Sequence, residues 1–164
     1  QKIFEHGPEL QKDFFGLQIK GSMMSMSIDD HSWRVIQKLL ENLKSDTRII
    51  LVNEIVGNVE KLIYNRNGNH VIQKCIEFVP EKYLGFIIEE LSENIYAFCK
   101  HKYGCRVIGK LIEFWKAEEV DNIVEEIMPN INELTFDASG NYVAQSIIMH
   151  GKIRHKKQLI SMFK

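Results

Sequence analysis

Apolar residues recur along the chain with two periods, one nested inside the other. In the string VIQKCIEF, Val71, Ile72, Cys75 and Ile76 stand at i, i+1, i+4 and i+5, which is one face of a helix. Leu84, Ile87, Ile88 and Leu91 share one side of a second segment, Tyr83 to Leu91, and Ile95 to Lys100 fits a short third helix. No copy shows the alternation of a half-buried strand. The longer period is 36 residues: Val-Ile-Gln-Lys starts at Val35 and again at Val71. The same step reaches Val107-Ile108-Gly109-Lys110 and Val143-Ala144-Gln145-Ser146, and one step back reaches Gln1-Lys2.

Four further columns keep this register without insertions. They are Phe15, Leu51, Ile87 and Ile123; Ile19, Ile55, Leu91 and Ile127; Met23, Val59, Ile95 and Ile131; and Met26, Leu62, Phe98 and Leu134. Gly68, Gly104 and Gly140 stand just before the Val-Ile string, with Ser32 in the first copy, where a tight turn is expected. One such unit cannot bury both apolar faces, but stacked neighbours can. The expected fold is an all-α, right-handed solenoid of three-helix repeats. The expected units are 1–7 (the tail of a preceding repeat), 8–44, 45–80, 81–116 and 117–164. Gln1 falls at the fifth position of a helix whose earlier residues are absent. The register therefore leads us to expect a piece of a longer array, with core surface exposed at both ends and a tendency to associate there.

Composition changes this picture little. The chain has 164 residues, 45% hydrophobic and 26% charged, with a formal net charge of −1. Disorder is excluded, and the bulk charge gives no nucleic-acid affinity by itself. The near-zero total conceals some sorting. The helix carrying Arg106, Lys110 and Glu113 nets +1, as does that carrying Arg34, Lys38 and Glu41, whereas the one carrying Glu118, Glu119, Asp121, Glu125 and Glu126 nets −5. The three cysteines, Cys75, Cys99 and Cys105, form no C-x-x-C pair, which fits free thiols in a reducing compartment. No aliphatic run is long enough to span a membrane, and no apolar signal segment opens the sequence. His150 and His155 lie off helix-ligand spacing. His101 and Cys105 are four apart, but an intervening glycine turn argues against a catalytic dyad.

The period differs from those of tetratricopeptide, ankyrin, HEAT and armadillo repeats. The strings Gly68-Asn69-His70-Val71-Ile72-Gln73-Lys74, Gly104-Cys105-Arg106-Val107-Ile108 and Gly140-Asn141-Tyr142-Val143-Ala144-Gln145 resemble the RNA-reading helices of the Pumilio (PUF) family. The resemblance covers the whole chain. The order of copies resembles the third to sixth repeats of an eight-repeat Pumilio domain, with Phe4-Glu5-His6-Gly7 as the tail of the second.

Helix geometry lets such a string face a base. Asn69 and Gln73, Asn141 and Gln145, Cys105 and Gly109, and Trp33 and Gln37 are i, i+4 pairs that share a face. The i+1 residues Arg34, His70, Arg106 and Tyr142 point about 100° away and are flat groups able to stack on a base. Each amide offers a donor and an acceptor. The resemblance implies that Asn with Gln reads uracil, and that a small Cys or Ser with Gln reads adenine. Asn69/His70/Gln73 and Asn141/Tyr142/Gln145 then resemble uracil readers. Cys105/Arg106 resembles an adenine reader, but Gly109 stands where the family has Gln, so discrimination there is expected to weaken. Trp33 stands where the family has Cys, Ser or Asn. Its indole N–H is a donor only, so Trp33 either stacks on a base or blocks one, and its copy stays undetermined with adenine favoured. Lys38, Lys74 and Lys110 are read as either phosphate contacts or plain solvated residues.

The implied partner is single-stranded RNA with a core resembling 5′-UAUA-3′, bound antiparallel, inside UGUA-type elements of mRNA 3′ untranslated regions. The implied role is post-transcriptional repression or decay in the cytoplasm, with translational repressor or deadenylase proteins as partners. No cofactor, metal, small-molecule substrate or enzymatic step is expected. A helical protein-interaction scaffold with weakened or lost RNA specificity is the competing reading, favoured by Gly109, Trp33 and the neutral charge. A nucleolar relative binding structured RNA is disfavoured by the intact Asn/Gln pairs.

Overall fold

The computed structural model describes residues 9–116 and 118–162. Gln1 and the 1–7 tail lie outside the described residues. Among the described residues every regular element is a helix. In chain order they are α1 (Glu9–Gln18), α2 (Met23–Ile28), α3 (Trp33–Asn42), α4 (Ser45–Val52), α5 (Val59–Tyr64), α6 (Gly68–Phe78), α7 (Gly85–Ser92), α8 (Ile95–Lys100), α9 (Gly104–Phe114), α10 (Glu118–Ile127), α11 (Ile131–Phe136), α12 (Gly140–His150) and α13 (Ile153–Ser161). The 36-residue ruler is visible in these bounds. The short helices start at Met23, Val59, Ile95 and Ile131, and the long helices start at Trp33, Gly68, Gly104 and Gly140. The segment expected as one helix from Tyr83 is divided instead. A 3₁₀ turn covers Glu81–Tyr83, and α7 follows from Gly85.

The chain forms two compact units, residues 1–87 and 88–164. In the first, α3 packs on α6 and the short α5 packs under α6; in the second, α9 packs on α12 and α11 under α12. Each unit is thus a stack of repeats in which the long helices lie side by side. The columns read from the sequence form the two cores. Leu51, Ile55, Val59, Leu62, Val71 and Ile72 are buried in one, and Phe98, Val107, Ile108, Ile123, Ile127, Ile131, Leu134 and Val143 in the other. In the first copy Phe15, Ile19 and Met26 stay half-buried while Met23 is fully buried.

The turn glycines have a steric cause. Each is the first residue of its long helix, packed against the short helix before it. A Cβ on Gly68 would sit 2.7 Å from the Leu62 carbonyl oxygen, and one on Gly104 only 2.4 Å from that of Phe98. At Gly140 it would meet the Leu134 side chain at 2.7 Å and carbonyl at 2.9 Å. The first copy solves the same problem differently. Helix α3 starts one residue later, and Ser32 Oγ lies 3.2 Å from the equivalent carbonyl, that of Met26, while its hydroxyl donates to the Asp29 carboxylate at 2.6 Å.

Candidate nucleic-acid interface

The long helices α3, α6, α9 and α12 carry the predicted reading residues at their first turns, so what holds those turns fixes the site. Each is capped by a residue three before the glycine or its serine counterpart. The Asn65 side-chain oxygen accepts from the backbone N–H groups of Asn67 (2.8 Å) and Gly68 (2.9 Å). The Asp137 carboxylate accepts from Ser139 and Gly140 at 2.9 and 2.8 Å. Asp29 accepts from His31 and Ser32 at 3.1 and 2.9 Å. In α9 the same place is held by His101, whose Nδ1 accepts from Tyr103 and Gly104 at 3.3 and 3.2 Å. These bonds satisfy orphan donors at each helix start. The Ser32 hydroxyl and then the backbone donors hold the Asp29 carboxyl down at about 2, and the backbone donors of Gly140 and Ser139 depress Asp137.

The four-residue column Asp29, Asn65, His101 and Asp137 escapes the apolar pattern because its members share an acceptor atom rather than a residue type. It also disposes of the His101–Cys105 pairing. The Nδ1 atom of His101 is engaged by backbone, and burial raises the Cys105 thiol above its usual value. Cys75 and Cys99 are buried, with thiols pushed up to about 12.

The histidine cap carries a pH dependence. An imidazolium has no acceptor nitrogen, so protonation breaks the cap. Burial, and secondarily the Lys102 charge, lowers the folded-state value of His101 below 6.5. The unfolded chain therefore binds the proton first. The stabilisation is complete above about pH 6.5 and is lost as pH falls through the folded value. His101→Asn, which copies Asn65, should flatten this loss. Denaturation midpoints of both proteins at pH 7.5 and 5.5 check it, and the wild type should lose more.

The two Asn/Gln copies are built alike. Asn69 is fully buried; its Nδ2 donates to the carbonyls of Asn65 and Arg66, both at 2.9 Å, and its Oδ1 accepts from Gln73 Nε2 at 3.1 Å. Asn141 Nδ2 donates to Asp137 and Ala138, both at 2.9 Å, and its Oδ1 accepts from Gln145 Nε2 at 2.9 Å. Carbonyls only accept, so each Asn must turn its NH₂ inward and its oxygen outward. Asn141 is half-buried and presents a fixed acceptor beside a glutamine that still has a donor and an acceptor to offer, whereas Asn69 is fully enclosed and Gln73 Nε2 donates also to the Asn69 backbone carbonyl at 3.3 Å, so the α6 pair offers chiefly the Gln73 oxygen.

Cys105 is buried at the equivalent place, with Sγ 3.7 Å from the Lys102 carbonyl. Gly109 has a packing reason. A Cβ there would lie 2.8 Å from Ser146 Oγ and 3.7 Å from Ser146 Cβ on α12. Small residues face each other where α9 meets α12. Only a hydroxyl is in the way, and it can turn from its 3.0 Å partner, the Tyr142 carbonyl, to solvent, since Ser146 is only half-buried. Gly109→Ala should therefore stabilise the protein by up to about 1 kcal/mol through helix propensity, read as a raised thermal midpoint in circular dichroism.

Among the stacking candidates, Arg106 and Tyr142 are exposed. Arg34 and His70 are engaged with Trp33. The Arg34 guanidinium carbon lies 4.8 Å from the indole centre, and the His70 ring stacks on it at 5.0 Å with 20° between planes. Gln37 Nε2 donates to the His70 carbonyl at 3.3 Å. The lysines are held in partly exposed ion pairs with glutamates. Lys38 pairs with Glu41 (2.8 Å), Lys110 with Glu113 (3.0 Å), and Lys74 with both Glu77 (3.0 Å) and Glu41 (3.1 Å). No group of three potential metal ligands occurs among the described residues, and no described helix is long and apolar enough to cross a membrane.

This geometry can be set beside known proteins. The profile of the Pumilio-family RNA binding repeat matches residues 1–15, 23–56, 58–92, 94–128 and 130–162. The chain belongs to the Pumilio family. The profile counts its units from the short helix, so its phase differs from the units expected from the sequence. The chain resembles the Puf3 RNA binding domain bound to a Cox17 RNA 3′ UTR recognition sequence, with 40% identity and a TM-score of 0.92 over 98% of this chain and 49% of that one. It resembles PUF-8 in complex with PBE-RNA at 29% identity and a TM-score of 0.92, covering 98% of this chain and 48% of that one. A Pumilio domain-containing protein of Schizosaccharomyces pombe is 35% identical over 71 residues, 43% of this chain and 10% of that protein. The chain thus spans about half the length of the solved domains it matches.

Proposed function

We propose that this chain is a single-stranded RNA-binding module that reads bases one per repeat, through the first turns of its long helices. The observation that carries the reading is the duplicated Asn/Gln geometry of α6 and α12, in a chain of the Pumilio family. At α12 an outward acceptor beside an adjustable donor complements a uracil edge, where an N–H lies next to a carbonyl. The long Asn side chain leaves room for a pyrimidine, whereas the shorter Cys105 leaves room for a purine. The core read is 5′-U-A-U-3′ from α12 to α6, with the second base weakly specified because Gly109 supplies no edge group; the base opposite α3, where adenine is favoured by Gln37 and opposed by Trp33, completes a UAUA-type element. Solved relatives bound to 3′ UTR RNA support the substrate class. We place the protein in the cytoplasm, binding UGUA-type elements. Repression or decay would come from repressor or deadenylase proteins that it recruits, with no chemistry of its own. The units 8–44, 45–80, 81–116 and 117–164 then each span one nucleotide of the strand.

The scaffold reading keeps one observation in its favour: the reading-face lysines are neutralised by glutamates. Fluorescence anisotropy with a UGUAUAUA oligomer and a variant in which every uracil is replaced by cytosine, so that no UAU remains, separates the two. Base-specific reading requires the variant to bind on the order of tenfold more weakly. Equal binding would reject it, and no binding to either would favour the scaffold.

A further inference from the structure

The first copy differs from the others at two edge positions, and both differences act in one place. Trp33 stands in the column of Asn69, Cys105 and Asn141, whose side chains turn toward their own helix start. Its indole instead meets both the Arg34 guanidinium, 4.8 Å from the ring centre, and the His70 imidazole, 5.0 Å away and nearly parallel. Those two flat groups belong to successive long helices, α3 and α6, and are the copy's candidates for stacking on a base. An indole matches a purine in shape and thickness, so it engages both groups as a base would. Gln37 has also left the reading role. Gln73 and Gln145 bond back to the Asn Oδ1 one turn earlier in their own helix, but Gln37 Nε2 donates to the His70 carbonyl of the next one. That bond ties α3 to the residue whose ring stacks on Trp33.

We infer that Trp33 is a built-in substitute for a nucleobase: it fills the slot between Arg34 and His70, so this copy reads no base and the RNA passes it with the base turned outward. The inference rests on the RNA-reading function proposed above. It makes the first copy a spacer that fixes the register of the strand without choosing its sequence. It also gives Arg34 and His70 a stacked partner before any RNA arrives.

The test is anisotropy with four labelled octamers containing 5′-UAUN-3′, where N is each base in turn, and with a fifth in which the first uracil of that core is changed to cytosine. The wild-type chain should bind the four N variants within about twofold. Trp33→Ser empties the slot and restores a small residue beside Gln37, so one purine, adenine, should gain on the order of tenfold over the others. Trp33→Phe keeps a flat ring in the slot and should leave the profile level. Discrimination of more than about fivefold among the four N variants by the wild type would overturn the inference, as would a level profile for Trp33→Ser. The fifth octamer reports on the reading beneath it. Weaker binding of that octamer with discrimination at N overturns only the role of Trp33. Unchanged binding of the fifth octamer by wild type and variants overturns base reading altogether, and this inference with it.

Discussion

Gly104→Ala should lower the stability of the protein by about 2–3 kcal/mol, a fall in thermal midpoint of roughly 5–10 °C for a chain of this size. The new Cβ would stand 2.4 Å from the Phe98 carbonyl oxygen and 2.9 Å from Phe98 Cα. Both are backbone atoms of the buried short helix α8, and neither can swing aside. Phe98 is itself fully enclosed, so the strain passes into the core. Helix propensity alone would favour alanine by about 1 kcal/mol, so a loss has to come from this contact. Gly109→Ala supplies the control. It is the same substitution in the same helix, but it meets a rotatable hydroxyl, and it should shift the midpoint upward. Opposite signs for the two variants would establish the close approach as the reason for the glycine column. Equal signs would refute it.

Gln145→Ala and Asn141→Ala should each weaken binding of a UAUA-containing oligomer on the order of tenfold and relax the choice of its first base. Gln145 is exposed and its Nε2 donates to Asn141 Oδ1 on its own helix, so its loss costs little in folding. Asn141 also donates to Asp137 and Ala138, so its removal costs stability as well. The two effects separate when binding is measured well below the unfolding temperature. The Asn69 counterpart is fully buried and is the poorer choice, because folding and reading would be lost together.

Most of the fold is legible in the apolar columns, because burial is a property of spacing and residue type. Leu62, Phe98 and Leu134 share a column and share a place in the core. The Asn/Gln pairs were legible for the same reason, through i, i+4 spacing on one helix face. The caps were not. Asp29, Asn65, His101 and Asp137 have one function and three side-chain chemistries, so no residue pattern announces them. The lysine pairs Lys38–Glu41, Lys74–Glu77 and Lys110–Glu113 could have been read as i, i+3 neighbours, but Lys74–Glu41 joins two helices and needed the packing. Trp33 lay furthest from reach. The sequence leaves stacking and blocking both open, and the inference that it fills a base's place rests on a ring in the next repeat, His70, that no local pattern brings to it.

The central claim is that the Asn/Gln pairs choose the base, and one substitution tests it most directly. Asn141→Ser keeps Gln145 and shortens the partner, turning a uracil-type pair into an adenine-type one. Binding is measured to octamers carrying each of the four bases opposite α12, for wild type and variant. The account predicts that the wild type prefers uracil, that the variant prefers adenine, and that preference at the base opposite α6 stays uracil in both. An unchanged profile at the α12 base, or an equal loss of affinity for all four bases, would contradict it.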